Sequence, residues 1–333
     1  MSGPRPERLD RFMARANAIY YATHDPFADF TTSPEISQVF GEIIGLWAAV
    51  TWQGLGEPNP LSLVEAGPGR GTLMADALRA VRRTAPGFAA AARAHLIETS
   101  PRLRAVQGSR VPGATWHDDL SSVPAGPMIL IANEFLDALP IRQFVRRGAG
   151  WTEKFVADGA WLELPADEGD IPPGRPAADG EAIEVNEPAR AFVLAVARRL
   201  SRHPGVALFL DYGPARSAPG DSLQALARKR PVDPLVHAGS ADLTAHVDFA
   251  DLALVAGTAG AGVQGPLEQG AFLGALGLSQ RTERLAAGRP ATDAAALRAA
   301  ARRLAGPDAM GQLFKVMAIC SPGCPALPDF PAG

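Results

Sequence analysis

The stretch Leu63-Val64-Glu65-Ala66-Gly67-Pro68-Gly69-Arg70-Gly71-Thr72 limits what this chain can fold into more than any other. The apolar run Leu61–Glu65 before it predicts a strand. Thr72–Arg83 after it, with Leu73, Ala77, Leu78 and Val81 at helical spacing, predicts a helix. Glycines at 67, 69 and 71 let the backbone turn tightly and pass close to a ligand. The free N–H groups and positive dipole at the helix start suit a carboxylate or phosphate. Spacing then separates the ligands. A dinucleotide fingerprint needs G-x-G-x-x-G, whereas Thr72 leaves G-x-G-x-G here. Glu65 stands two residues before Gly67, where it would repel a pyrophosphate but tolerates a cationic, amine-bearing ligand. S-adenosylmethionine (SAM), with a sulfonium and an ammonium beside its carboxylate, meets those conditions. A glycine-rich turn in a nucleotide-free α/β protein is the competing reading.

The rest of the chain alternates in the same way. His95–Glu98 predicts a second strand, Ala114–His117 a third, Met128–Asn133 a fourth and Val206–Asp211 a fifth, with a late strand over Gln312–Cys320. Ser100-Pro101 starts a helix carrying Leu103 and Val106, and further helices are expected over Pro188–Arg202, 248–256, 266–276 and 292–305. Strands alternating with helices imply a doubly wound α/β sheet with helices on both faces. Near the start, 7–24 reads as helical, and Ser33 as the cap of a helix, with Pro34 first, that runs through Val39, Phe40, Ile43, Ile44 and Trp47. Arg142–Arg147 and Trp151–Val156 read as a hairpin, 164–180 as a surface loop, and 213–247 as a Pro- and Gly-rich wrap near the site. The organisation expected is therefore an N-terminal helical cover (1–60), a core (61–212 and 306–320, with a 141–185 insertion) and a helical and loop region on the substrate side (213–305).

Acids recur at the predicted strand ends. Glu98 ends the second strand beside the glycine loop, where a carboxylate can accept from two ribose hydroxyls. Asp118 and Asp119 follow the third strand, where an acid can accept from an adenine amino group; Asp118 is the preferred of the two. Asn133 and Glu134 end the fourth, where the reacting end of the ligand should lie.

Composition narrows the setting. Hydrophobic residues are 47% and charged residues 20%, which excludes a disordered tail protein or a coiled coil. A net charge of −3 gives no global pull toward nucleic acid. The two cysteines, Cys320 and Cys324, cannot build a disulfide framework or fill a zinc site. The start lacks an apolar signal region, and no stretch approaches the length of a membrane span. The expectation is a cytoplasmic protein of bacterial type, without metal, signal peptide or membrane span.

The run from Asp29-Phe30-Thr31-Thr32-Ser33-Pro34-Glu35 through Gly41-Glu42 resembles the opening signature of MidA-type methyltransferases. So do Glu65 to Met74, Glu98-Thr99-Ser100-Pro101, Ala132 to Pro140, Asp211-Tyr212-Gly213, Asp242 to Phe249 and Met310 to Val316. The family includes the mitochondrial complex I assembly factor that methylates arginine. Two mild departures are Ala28 where glycine is expected and Leu136 where a second phenylalanine is commoner. The resemblance implies a class I SAM-dependent methyltransferase fold (Rossmann-like) with an added helical and loop region. It also implies methylation of an arginine on a protein, a respiratory complex I subunit being the partner.

Methyl transfer from SAM is an in-line displacement that asks the protein to align acceptor and methyl, exclude water and handle one proton. A guanidinium is a poor nucleophile; paired carboxylates can hold it and localise its charge on the far nitrogens. Glu134 and Asp137 are the candidates for that work, with Asn133 orienting the substrate; capping of a helix N-terminus is the alternative for the acids. Glu65, Gly67, Gly69, Gly71, Glu98, Asp118 and Thr32 are the cofactor candidates, with Asp29 and Thr31 near Thr32 as part of a closing segment. His246 and Asp211 are the substrate-side candidates, His246 also being readable as a packing residue. A SAM methyltransferase of a small molecule and a non-catalytic SAM-binding assembly protein stay open. The glycine spacing argues against a nicotinamide enzyme, and Asn133-Glu134-Phe135-Leu136 lacks the prolines with which DNA base methyltransferases bind a flipped base.

Overall fold

A computed structural model describes residues 5–24, 31–171 and 174–330, so Ala28 and Asp29 lie outside the described residues. The chain opens with a two-residue strand β1 (Glu7–Arg8) and helix α1 (Leu9–Thr23). The helix predicted from Ser33 is broken in two. Helix α2 (Ser33–Ile36) stops at Ser37, whose extended backbone (φ −155°, ψ 131°) restarts the chain as α3 (Gln38–Gly54). The capping side chain is accordingly Ser37, whose Oγ accepts from Val39 N at 3.2 Å, and not Ser33.

Next come β2 (Leu61–Ala66), α4 (Thr72–Thr84), α5 (Pro86–Ala91), β3 (Ala92–Ile97), α6 (Pro101–Arg110), β4 (Thr115–His117) and β5 (Met128–Asn133). An insertion contributes β6 (Arg142–Arg147), β7 (Gly150–Ala157), β8 (Ala160–Pro165) and β9 (Ala182–Val185), and the alternation resumes with α7 (Glu187–Leu200) and β10 (Gly205–Tyr212). Three short strands, β11 (Gln224–Ala227), β12 (Arg230–Val232) and β13 (Asp242–Thr244), pair into a small sheet. The chain ends through α8 (Phe249–Thr258), β14 (Gly262–Glu268), α9 (Gln269–Ala275), α10 (Leu278–Ala286), α11 (Ala291–Ala305), α12 (Met310–Leu313) and β15 (Phe314–Cys320).

Seven strands form the central sheet in the order β14-β15-β10-β5-β2-β3-β4. The five from β4 to β10 run parallel, and β15 and β14 add antiparallel at the far edge, so the sheet is mixed. Side chains alternate between its two faces. Leu63, Ile129, Ile131 and Leu208 pack toward α3 and α4. Val64, Leu130, Ala207 and Phe209 pack toward α7 and α8. With both faces covered, β5 is buried over its full length. Because β2 pairs with β3 on one side and β5 on the other, chain connections leave it in opposite directions and open a crevice at its carboxyl end.

The predicted hairpin widens into a five-stranded sheet, in which β7 pairs with β6, β8 and β1. The 213–305 stretch is less separate than expected, since β14 pairs with β15 in the central sheet. A cis Gly265-Pro266 bond and a register shift between Gln264 and Leu267 mark β14, and a sheet edge is where proline is tolerated. The helix expected over 266–276 therefore begins only at Gln269.

Candidate active site

The glycine loop after β2 is built on left-handed backbone, with φ of +64° at Gly67, +53° at Gly69 and +77° at Gly71. Gly67 N donates to Ile97 O at 3.1 Å and Gly71 N to Pro68 O at 2.7 Å, so the loop closes on the neighbouring strand and on itself. A Cβ at Gly67 would lie 2.7 Å from the Phe135 ring. Gly71 caps α4 and stands just behind the loop, against Gln107 and Val111.

Over the carboxyl ends of β2, β3 and β5 lies a cavity of about 820 Å³. Glu65, Gly67, Gly69, Glu98, Thr32, Asn133 and Glu134 line it together, and α1 closes its far side with Ala14, Asn17, Ala18 and Tyr21. Glu65 is 3% exposed; it accepts from Met74 N, but its Oε2 has no partner. Burial pushes its carboxyl up to about 8. Glu98 accepts from Ser100 N at 2.8 Å and from Gln107 Nε2 at 3.3 Å, and burial raises its pKa. Glu134 adopts φ +49°, a left-handed conformation that costs a non-glycine residue about 1 kcal/mol. Its Oε1 accepts from Ser33 N at 2.7 Å and from Asn133 Nδ2 at 3.0 Å, while burial raises its pKa. Asn133 Oδ1 is buried without a partner.

Four predicted residues stand elsewhere. Asp118 is turned out, its side chain 80% exposed and paired with Arg104 at 2.5 Å. The cause is local: Asp119 accepts from Ser121 N and opens a short 3-10 turn, which swings the chain away from the crevice. Asp211 is 1% exposed and lies behind the site. Its Oδ2 accepts from the backbone N–H groups of Phe135, Leu136 and Asp137 at 3.2, 2.9 and 3.3 Å, fastening the turn that carries Glu134. Asp137 also points away from the cavity, buried with an unpartnered Oδ1, and burial next to Asp211, Asp242 and Glu134 holds its pKa well above the carboxylate range. His246 is exposed in a second cavity, its ring edge-on to Tyr212 at 5.5 Å.

Sequence reasoning passed over Asn17 and Glu35. Asn17 donates to Ala138 O and Leu243 O, joining α1 to the turn after β5 and to β13. Glu35 accepts from Thr72 Oγ1 and has Arg110 and Arg70 at 3.7 and 3.9 Å, so α2 is fastened to the start of α4. Only the acidic character of the Ser33-Pro34-Glu35 block hinted at the second of these.

A family model described as "Putative S-adenosyl-L-methionine-dependent methyltransferase" matches residues 43–267. The chain belongs to this family. The methyltransferase is 33% identical to the protein arginine methyltransferase NDUFAF7 homolog, mitochondrial, of Drosophila melanogaster, over 96% of this chain and 82% of that one. It is 33% identical to the protein arginine methyltransferase NDUFAF7, mitochondrial, of Rattus norvegicus, over 90% of this chain and 77% of that one. A crystal structure of a Burkholderia thailandensis protein bound to S-adenosyl-homocysteine superposes on it with a TM-score of 0.81 at 28% identity, covering 97% of this chain and 90% of that one. The methyltransferase is thus a SAM-dependent enzyme on an α/β fold, and among its described residues no helix is long and apolar enough to cross a membrane.

Proposed function

We propose that this enzyme transfers the methyl group of SAM to an arginine of a protein substrate. The observation that carries the reading is the pair at the end of β5: Glu134, in left-handed backbone, and Asn133, both lining one cavity with the glycine loop. The donor set suits the cofactor. Gly67–Gly71 offer backbone to its carboxylate end, Glu65 Oε2 is a buried acceptor without a donor, which an ammonium would supply, and Glu98 stands where ribose hydroxyls would donate. When bound, SAM supplies an already activated methyl group on sulfur.

The chain's own groups do the rest. Glu134 accepts hydrogen bonds from the guanidinium and draws its positive charge toward the bonded nitrogens, leaving the reacting nitrogen richer. Asn133, lining the same cavity, orients the substrate. Burial raises the Glu134 pKa, so the carboxylate is also a competent acceptor for the proton that the methylated nitrogen sheds. The lining of α1, with Ala14 and Ala18, keeps water from that end. Asp137, expected as the second carboxylate, supports the turn from behind, and Glu134 acts with Asn133 instead.

The relatives named as arginine methyltransferases support the acceptor, and a respiratory complex I subunit is the partner that the family resemblance supplies. Those relatives are also named mitochondrial, which gives the cytoplasmic expectation no support. The test is incubation of a lysate with labelled SAM, with and without the purified enzyme, and mass spectrometry of the labelled species. Methylarginine on one polypeptide is expected; label on a small molecule would overturn the reading.

A further inference from the structure

The two cysteines take no part in the site described above, yet the fold brings them together. Cys320 ends β15, and the chain then reverses at once. Ser321 is pinned to the sheet: its N–H donates to Gly205 O at 3.0 Å, and its Oγ accepts from Gly205 N at 3.3 Å. Cys324 N donates back to Ser321 O at 3.1 Å across Pro322 and Gly323, with Gly323 at φ +74°. Proline in the second place and a left-handed glycine in the third are what a type II turn asks for. The turn folds Cys324 back toward the end of β15, and both cysteines belong to one apolar cluster.

The thiols meet there. The Cys324 S–H donates to Cys320 Sγ, and Gln264 Nε2 donates to the same sulfur at 4.0 Å. The hydrogen bond from Cys324 brings the Cys320 thiol down to about 7 against its burial, with help from Gln264, and the Cys324 thiol is pushed up in return. Cys320 is 4% exposed, but its register partner on the edge strand β14 is Gly262, where a Cβ would come within 2.8 Å of the sulfur. Glycine there leaves no side chain over the thiol. Cys324 is half-buried. Each sulfur is held in place by its surroundings, Cys320 by the β15 ladder and Cys324 by the segment that follows it. In that segment Leu327 N donates to Gln264 Oε1 at 3.2 Å, Pro328 O accepts from Trp47 Nε1 at 3.2 Å, and the Phe330 ring meets Phe272 at 5.5 Å.

We propose that Cys320 and Cys324 form a reversible oxidation site, joined as a disulfide by a hydroperoxide and reopened by a thiol reductant. With hydrogen peroxide, the Cys320 thiolate attacks one oxygen, the O–O bond breaks and water leaves, so that Cys320 carries a sulfenic acid. The Cys324 sulfur then attacks Cys320 Sγ, and its S–O bond breaks to release a second water. The two thiols lose two electrons and two protons in all, and the peroxide becomes two waters.

The test treats the purified full-length enzyme, still folded, with hydrogen peroxide at neutral pH. Intact-mass spectrometry should show a loss of about 2 Da, the two thiol hydrogens, with a peptide linking Cys320 to Cys324 after alkylation and digestion, and dithiothreitol should restore the parent mass. In Cys324→Ser, a change at a half-buried position, dimedone should label Cys320. In Cys320→Ser, Cys324 should oxidise at least about 10-fold more slowly than Cys320 does in Cys324→Ser, because it lacks the lowered pKa. Two free thiols after treatment of the unaltered enzyme overturn the proposal without any variant. So do added oxygens without a bridge, or a disulfide between two copies of the chain. Equal oxidation rates in the two serine variants overturn the assignment of Cys320 as the attacking sulfur.

Discussion

The two cavities on the carboxyl edge of the central sheet treat charge in opposite ways. In the cofactor cavity, Glu65 and Asn133 are lining residues, each with one buried oxygen that has no hydrogen-bond partner. In the second, Asp248 and Asp251 are held by Arg175 and Arg190, and Glu184 accepts from Gln143 and Ser222. An unpaired buried polar group costs about 1–3 kcal/mol. An acid held by an arginine of its own wall is already compensated, whereas Glu65, with Met74 N as its partner, lines the cofactor cavity without one.

The largest effect that would break this contrast is at Glu134. Glu134→Gln keeps an oxygen for Ser33 N and Asn133 Nδ2 but loses the charge, so methyl transfer should fall by about 10²–10⁴-fold while calorimetry finds S-adenosyl-homocysteine binding intact. Activity within a few fold of the parent would move the chemistry elsewhere. Next is Gly67→Ala. Its Cβ would meet the Phe135 ring at 2.7 Å from a backbone at φ +64°, so cofactor affinity should drop at least about 10-fold and thermal melting should show a loss of about 1–2 kcal/mol.

A pH experiment sharpens the comparison further. Glu65, pushed up to about 8, is protonated at neutral pH in the free enzyme and must ionise to meet an ammonium. SAM binding should therefore release a proton below about pH 8 and tighten as pH rises toward that value, which calorimetry in buffers of different ionisation enthalpy detects. Glu65→Gln should remove the release. The same group makes the ligand-free fold less stable as pH climbs from 4.5 to about 8, because the folded chain keeps a proton that the unfolded chain gives up. The smallest effect is expected at Asp118. Its exposed pair with Arg104 lies outside the cavity, so Asp118→Asn should leave SAM affinity within about 2-fold.

What could be read from sequence follows from how local its cause is. Strands β2, β5 and β10 are apolar runs because both sheet faces are covered, and each was placed to within about a residue. The acids at strand ends were legible for the same reason, since fixing the strand fixes its carboxyl end. Strand β14 was not, because its Gly262, Gly265 and Pro266 read as a breaker and only the edge position allows them. Asp118 was misplaced by a short turn that Asp119 starts. Tyr21, readable from its sequence block as either a ligand contact or a packing residue, lines the cavity, whereas the lining by Asn17 and the anchoring by Asp211 depend on contacts across more than 70 residues, which no local pattern announces.

The Asp211 carboxylate, at the end of β10, grips three consecutive amides of the turn that carries Glu134. The end of β10 and the turn after β5 are thereby fastened together beside the cavity. A turn held in this way by the adjoining strand moves with the sheet, although it lies beyond the end of β5.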